Sequence, residues 1–328
     1  MNTNILVSSK ESKLKRFIIG THDGIFHADE VVACAILTLF HSSEVIEIVR
    51  SKEISYLVEK GVDIFVDVGG GDFDHHQPGG NGKRKNEVSY ASAGLVWREF
   101  GKELVHKCAC KLYGNSTDYI VISVFKEIDE TIIQEVDKED NGIPTSFHTF
   151  SFISSFLPAY GSSYYSFDES FHLALNSTIN ILEHAIFTSI AKLKAQSDIF
   201  DMIENINTNN YYILEIPSQT LPWLEPVVVH NSNQFVYEIP ELIHFVVFPY
   251  PSGGWAAQCV PPSLDKKFEQ LTPFPKEWAG QTDKLREISG VEDATFCHNG
   301  CFFVRAKSKE GIMRLCRLAF ELFTWSNI

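Results

Sequence analysis

Histidine or aspartate, singly or together, marks four places in the first half of the chain. The first is Thr21-His22-Asp23-Gly24-Ile25-Phe26-His27-Ala28-Asp29-Glu30. The second is Asp67, closing the apolar stretch VDIFVDV. The third is Asp74-His75-His76, just past Gly69-Gly70-Gly71. The fourth is Asp137-Lys138-Glu139-Asp140-Asn141-Gly142. Imidazole suits Zn, Fe and Ni, and carboxylate suits Mg and Mn. A mixed set without cysteine argues against a structural thiolate zinc site. Three imidazoles and three carboxylates are enough for two divalent ions, which points to two-metal hydrolysis. There a shared water loses a proton while the ions clamp the attacking and leaving oxygens. Taken singly, His22 or His27 would be a loop histidine and Asp67 a turn cap; the set reads as metal ligands. Asp137 and Asp140 compete for the fourth cluster.

The elements that must bring these clusters together alternate between strand and helix. Phe17–Gly20, Val45–Arg50 and Val62–Val68 read as strands. Ala28–Phe40, Lys52–Lys60 and a helix opening at Ser92 separate or follow them. Asp118–Lys138 carries apolar residues at helical spacing. This alternation predicts an α/β fold with a mostly parallel sheet covered by helices on both faces. Ligands bind outside the carboxyl ends of such strands, and the first three clusters fall there. A long helix is expected at about Asp168–Ile206. Closely spaced strand signals follow, among them Pro226–His230 and Phe235–Ile239, and a last helix from Ser308. The pattern predicts a second, C-terminal α+β domain. The expected division is a tail over 1–15, a catalytic domain over 16–150, and a connection plus second domain over 151–328.

Composition narrows the function. With 328 residues, two domains are the natural expectation. The net charge is -14, which disfavours a protein that coats nucleic acid by charge alone but leaves room for a local metal site. Seven cysteines without a C-x-x-C pair read as reduced thiols of an intracellular protein. No apolar run reaches the roughly 18 residues of a membrane span. The opening segment reads as a polar tail rather than a secretion signal or a transit peptide. A cytoplasmic location is the expectation, with nucleus and mitochondrion as alternatives.

These motifs carry a resemblance. Asp74-His75-His76 after an Asp-ended strand resembles the DHH phosphoesterase superfamily. More closely, T-H-x-G-x-F-H-x-D-E, D-V-G-G, D-H-H-Q, S-A-G-L and D-N-G-I resemble the MYG family (melanocyte-proliferating-gene proteins). Gly254-Trp255-Ala256-Ala257-Gln258 and His298-Asn299-Gly300-Cys301-Phe302 are similar to that family too, and the likeness spans about residues 17–325. It implies a hydrolase: a 3′–5′ RNA exonuclease using two divalent ions, Mn²⁺ first, with Mg²⁺, Zn²⁺ or Fe²⁺ as alternatives. It also implies that the C-terminal α+β domain is the smaller one, with the active cleft between the two domains. Carried over, His22 and His27 would bind one ion, Asp67 would bridge both, and Asp29, His75 and Asp140 would bind the other. The position of His27 is usually Asp in the superfamily, so this set is richer in nitrogen. Asp74 would orient a histidine, and His76 would face the phosphate as ligand or acid. Gly253, Gly254, His298, Gly300, Arg305 and Arg98 would touch substrate. RNA or a short oligonucleotide is the expected partner, and an oligomer is compatible with the sequence. Two rivals remain: a hydrolase of small phosphoesters or pyrophosphate, and a metal- and RNA-binding protein without turnover.

Overall fold

The first strand forms where expected, as β1 (Arg16–Thr21), and its neighbours pair with it in parallel. The computed structural model describes residues 15–144, 151–158, 165–206, 212–236 and 242–326. The expected tail up to residue 14, parts of the connection around 142–167 and the end of the strand expected at Phe235–Ile239 lie outside them. β2 (Val45–Arg50) and β3 (Ile64–Phe65) flank β1 in the order β2-β1-β3. All three strands therefore end at one edge. Gly20 is required there, since a Cβ would lie 2.8 Å from Val62 Cγ1.

Helix α1 (Ala28–Phe40) follows the first cluster, and its residues from Asp29 to Leu37 are buried. α2 (Ile54–Glu59) is short, with Leu57 as its buried anchor. α3 (Ser92–Tyr113) packs along α1 and ends at Gly114, whose left-handed φ of 76° closes the helix. The helix expected over Asp118–Lys138 is continuous but not uniform. α4 (Asp118–Ile128) passes through a π-helical turn at Asp129–Ile133 into α5 (Gln134–Asp140). The turn slips the register by one residue, which decides what α5 presents to the sheet edge.

The chain divides into two compact units at Ala191–Lys192. The division falls inside α6 (Phe167–Glu204), the long helix expected from the sequence. The second unit is a mixed five-stranded sheet in the order β4-β5-β6-β8-β7. Its strands are β4 (Ile213–Glu215), β5 (Phe245–Pro249), β6 (Trp255–Cys259), β7 (Ala294–Cys297) and β8 (Phe303–Ala306). β4 and β5 are parallel and the rest antiparallel. Along β5 the side chains alternate as a pleated strand requires. Phe245 and Val247 join one core with Ile312, Leu315, Cys316 and Ala319 of α9 (Lys309–Ser326). Val246 and Phe248 join the other, with Trp223, Val227 and Val228.

One local expectation is corrected. Pro226–His230 and the start of Phe235–Ile239 belong not to strands but to helix α7 (Leu224–Val236). Val227, Val228 and Asn231 fall on its buried side. Asn231 donates to the Ile243 carbonyl at 2.8 Å and accepts from the Ile243 N–H at 2.9 Å. Packing of that face overrode the β propensity of the valines. A short helix α8 (Leu285–Ser289) precedes β7. Among the described residues no helix is long and apolar enough to cross a membrane.

Candidate metal centre

The carboxyl edge of the first sheet opens into a cleft of about 1030 Å³. His22, just past β1, and Asp67, just past β3, reach it from the strands. His27 and Asp29 reach it from the start of α1, His75 and His76 from the glycine turn, and Asp140 from the end of α5. Residues more than a hundred positions apart thus share one wall.

Asp67 stands at the middle. One of its oxygens lies 3.4 Å from His22 Nε2, and the other lies 3.3 Å from His75 Nε2 and 3.1 Å from His76 Nδ1. The second oxygen also accepts from Ser92 Oγ at 3.0 Å. Its backbone has φ 57°, a left-handed conformation that costs a non-glycine residue of order 1–3 kcal/mol. The turn keeps it there, since Asp67 N–H donates to the Phe73 carbonyl at 3.0 Å. That strain is why β3 stops after two paired residues, short of the strand expected over Val62–Val68.

Asp29 is fully buried at the helix start. Its carboxylate accepts from Ser92 N–H at 2.9 Å and from Ala93 N–H at 2.7 Å, at the positive end of α3. It lies 3.7 Å from His75 Nε2, and Asp140 lies 3.1 Å from the same nitrogen. His75 Nε2 is itself buried and makes no properly directed hydrogen bond. A buried nitrogen ringed by three carboxylates, with no hydrogen bond of its own, is what a cation site leaves when described without its cation. Among the described residues, three groups have ligand atoms within 4.8 Å of one another: His22-His27-Glu30, Asp67-His75-His76 and Asp29-His75-Asp140. The residues present therefore fit divalent ions.

The charges agree with that fit. Burial pulls the His22 pKa down, but Asp67 and Glu30 outweigh it and push it up to about 10. Asp140, then Asp67, push His75 up to about 11 against its burial. Burial works to raise Asp67, yet His22, His75 and His76 hold it well below the usual carboxylate range. Burial, then Asp67 and Asp140, push Asp29 well above that range.

The other expected site residues fall in several places. Asp74 folds the glycine turn: it accepts from Gly70 N–H at 2.7 Å and His76 N–H at 2.9 Å. It also lies 3.2 Å from His76 Nδ1. The His76 side chain is 65% exposed on the cleft. Asp137 is turned away from this wall: it pairs with Arg84 and accepts from Gly94 N–H at 3.0 Å. Arg98 lies not on the cleft but beside a cavity of about 320 Å³ with Asp72 and Asn81. In the second unit, Gly253, Gly254 and Arg305 line a separate cavity of about 330 Å³. Arg305 donates to Ser252 Oγ at 3.1 Å and the Gly253 carbonyl at 3.3 Å, and stacks on Tyr250. His298 and Gly300 form the β7–β8 turn outside that cavity, with Gly300 N–H donating to His298 Nδ1 at 3.0 Å.

Sequence reasoning gave no part to three residues at or behind the cleft wall: Glu30, Ser92 and Lys52. Glu30 accepts from the His27 N–H with both oxygens, at 2.9 and 3.0 Å, and lies 3.0 Å from His22 Nε2. Its signal was legible: an acid three residues past a helix N-cap is a capping-box position. Ser92 and Lys52 had no such signal. Among the described residues lining the cleft, Lys52 is the single Lys or Arg.

A sequence model named MYG1_exonuc, described as Uncharacterised protein family (UPF0160), matches residues 18–320. An MYG1 protein of Chlamydia pneumoniae is 29% identical over 316 residues, covering 92% of this chain and 96% of that protein. The MYG1 exonuclease of Mus musculus is 28% identical over 336 residues, covering 91% and 83%. The MYG1 exonuclease of Homo sapiens is 27% identical over 335 residues, covering 91% and 84%.

Proposed function

The chain belongs to the family of that MYG1_exonuc model, and on this premise we propose that it is a divalent-metal-dependent exonuclease that shortens RNA from the 3′ end. That the mouse and human relatives are exonucleases by name supports the activity. The observation that carries the mechanism is the placement of Asp67, with one oxygen toward His22 and the other toward His75. A carboxylate set between two donor groups would be the ligand that both sets of residues share. His22 and His27 would hold one ion, and Asp29, His75 and Asp140 the other, with Glu30 beside the first. Imidazole mixed with carboxylate suits Mn²⁺ well and also accepts Fe²⁺, Zn²⁺ or Mg²⁺. Bound there, such ions activate water and neutralise charge on the phosphate.

The chain's own groups do the rest. Asp74 holds His76 through its N–H and its ring, leaving that imidazole at the cleft surface to donate a proton or hydrogen bond to the phosphate. Lys52 supplies the cleft's fixed positive charge for a second phosphate. The cavity of Gly253, Gly254 and Arg305 is a further place for substrate. The catalytic groups lie in the first unit, which runs to Ala191, and the further place for substrate lies in the second. A second reading, hydrolysis of short oligonucleotides or small phosphoesters, is favoured by the net charge of -14, which suits small substrates over long polyanions.

The test is metal content. Reconstituted wild type should retain two Mn²⁺ per chain by elemental analysis, and Asp67→Ala should lose both ions and the nuclease activity. A wild-type rate in Asp67→Ala would refute the assignment.

A further inference from the structure

α3 opens with three consecutive N–H groups that are all taken by acids. Ser92 and Ala93 donate to Asp29, at 2.9 and 2.7 Å, and Gly94 donates to Asp137, at 3.0 Å. Asp29 belongs to the centre, whereas Asp137 lies one helical turn before Asp140. Asp137 is completely buried. The space around it is tight: a Cβ on residue 94 would sit 2.1 Å from its Oδ2. A buried carboxylate at this point needs a cation, and Arg84 provides it from the loop after the Asp-His-His turn.

Arg84 is held on every side. Its guanidinium pairs with Asp137 and makes a fork with Asp129, Nε at 3.2 Å and Nη2 at 2.8 Å. It lies 4.4 Å over the Tyr90 ring, and its N–H donates to the Val88 carbonyl at 2.8 Å. Asp129 opens the π-helical turn. One side chain thus ties the start of that turn to the helix that ends in Asp140. Asn141 completes the corner, donating through its side chain to the Asp137 carbonyl at 2.8 Å.

We propose that Arg84 is a positioning residue of the metal centre: by occupying Asp137 and anchoring Asp129, it leaves Asp140 as the acid of this segment that faces His75. The arrangement answers a question the sequence poses, because Asp137 and Asp140 are chemically equal and only their neighbours distinguish them. Without Arg84, Asp137 is a buried carboxylate beside the centre with no cation to balance it, and Asp129 at the start of the π-helical turn loses its anchor. Lysine keeps the charge but lacks the planar fork that reaches two carboxylates at once. This inference rests on the metal-centre reading above.

The test uses the full chain, stripped of metal, in four forms: wild type, Arg84→Gln, Arg84→Lys and Asp129→Asn. Each is titrated with Mn²⁺ by calorimetry, with far-ultraviolet circular dichroism on the same sample and steady-state kinetics after loading. We expect Arg84→Gln to bind Mn²⁺ about tenfold more weakly, within the range for groups supporting metal ligands. Arg84→Lys should recover part of that loss, and Asp129→Asn should show a smaller one. In the kinetics, kcat should fall while KM holds. A folded Arg84→Gln that binds Mn²⁺ with wild-type affinity overturns the proposal. If Arg84→Gln does not fold, wild-type affinity in Asp129→Asn overturns it instead. Absence of Mn²⁺ uptake by the wild type would sink the metal centre itself, and this role with it.

Discussion

Asp67 and the imidazoles around it make opposite demands with and without metal. In the metal-free protein, His22 and His75 have pKa values of about 10 and about 11, against an ordinary 6.5. Both are raised, so both rings are protonated near neutrality. Their contacts with carboxylates stabilise the metal-free fold fully below about pH 6.5 and lose that effect as pH rises through about 10. A metal needs the same nitrogens bare. Mn²⁺ binding at pH 7.5 should therefore release protons, about two from His22 and His75 and any that the raised Asp29 carboxylate holds, and its affinity should climb with pH. Calorimetry in buffers of different ionisation enthalpy counts those protons; release of none would contradict the placement of His22 and His75. Lys52 makes a separate prediction. Lys52→Ala should raise KM about tenfold, about 1.4 kcal/mol, with little change in kcat. The metal-ligating types were legible in the sequence because His and Asp announce their chemistry. Lys52, Ser92 and Arg84 were not, because their parts depend on which distant segments converge.

At the scale of elements, the sheet edge and the first turn of α3 do the assembling. β1 and α1 were readable from apolar periodicity, and α1 runs over the residues expected, Ala28–Phe40. β3 was readable as a strand but not as a two-residue one, since its end is set by the strained turn at Asp67. α7 was misread because a run of valines carries the same local signal in a strand and in a buried helix face. The π-helical turn was also invisible: nothing in its composition separates it from the helices on either side. Gly94 gives the sharpest test of this level. Gly94→Ala would place a methyl 2.1 Å from Asp137 Oδ2, so it should cost about 1–3 kcal/mol and weaken Mn²⁺ binding. Gly71→Ala, with no atom within 4 Å of the added carbon, should stay within about 0.5 kcal/mol of wild type. Thermal unfolding of both variants, with and without Mn²⁺, checks the pair; equal melting temperatures would contradict the tight packing at residue 94.

For the whole molecule, a net charge of -14 and a cleft lined, among the described residues, by one lysine imply few phosphate contacts. Binding of single-stranded RNA to the metal-loaded, inactivated enzyme should then depend weakly on salt. The slope of log K against log salt should be about −1.4 for about two contacts; a slope near −4 would mean about six contacts and a basic track absent from this account. The two-unit, α/β character of the chain was legible in the alternation of its elements, whereas the pairing order of the second sheet was not, since hydrophobic runs do not say which strands lie side by side. The central claim is metal-dependent exonuclease action, and end-labelled RNA tests it most directly. Metal-stripped protein with added Mn²⁺ should shorten 5′-labelled single-stranded RNA stepwise from its 3′ end, and Asp67→Ala should leave the ladder intact. Full-length RNA after incubation of the Mn²⁺-loaded wild type, or equal digestion by the variant, would contradict the account.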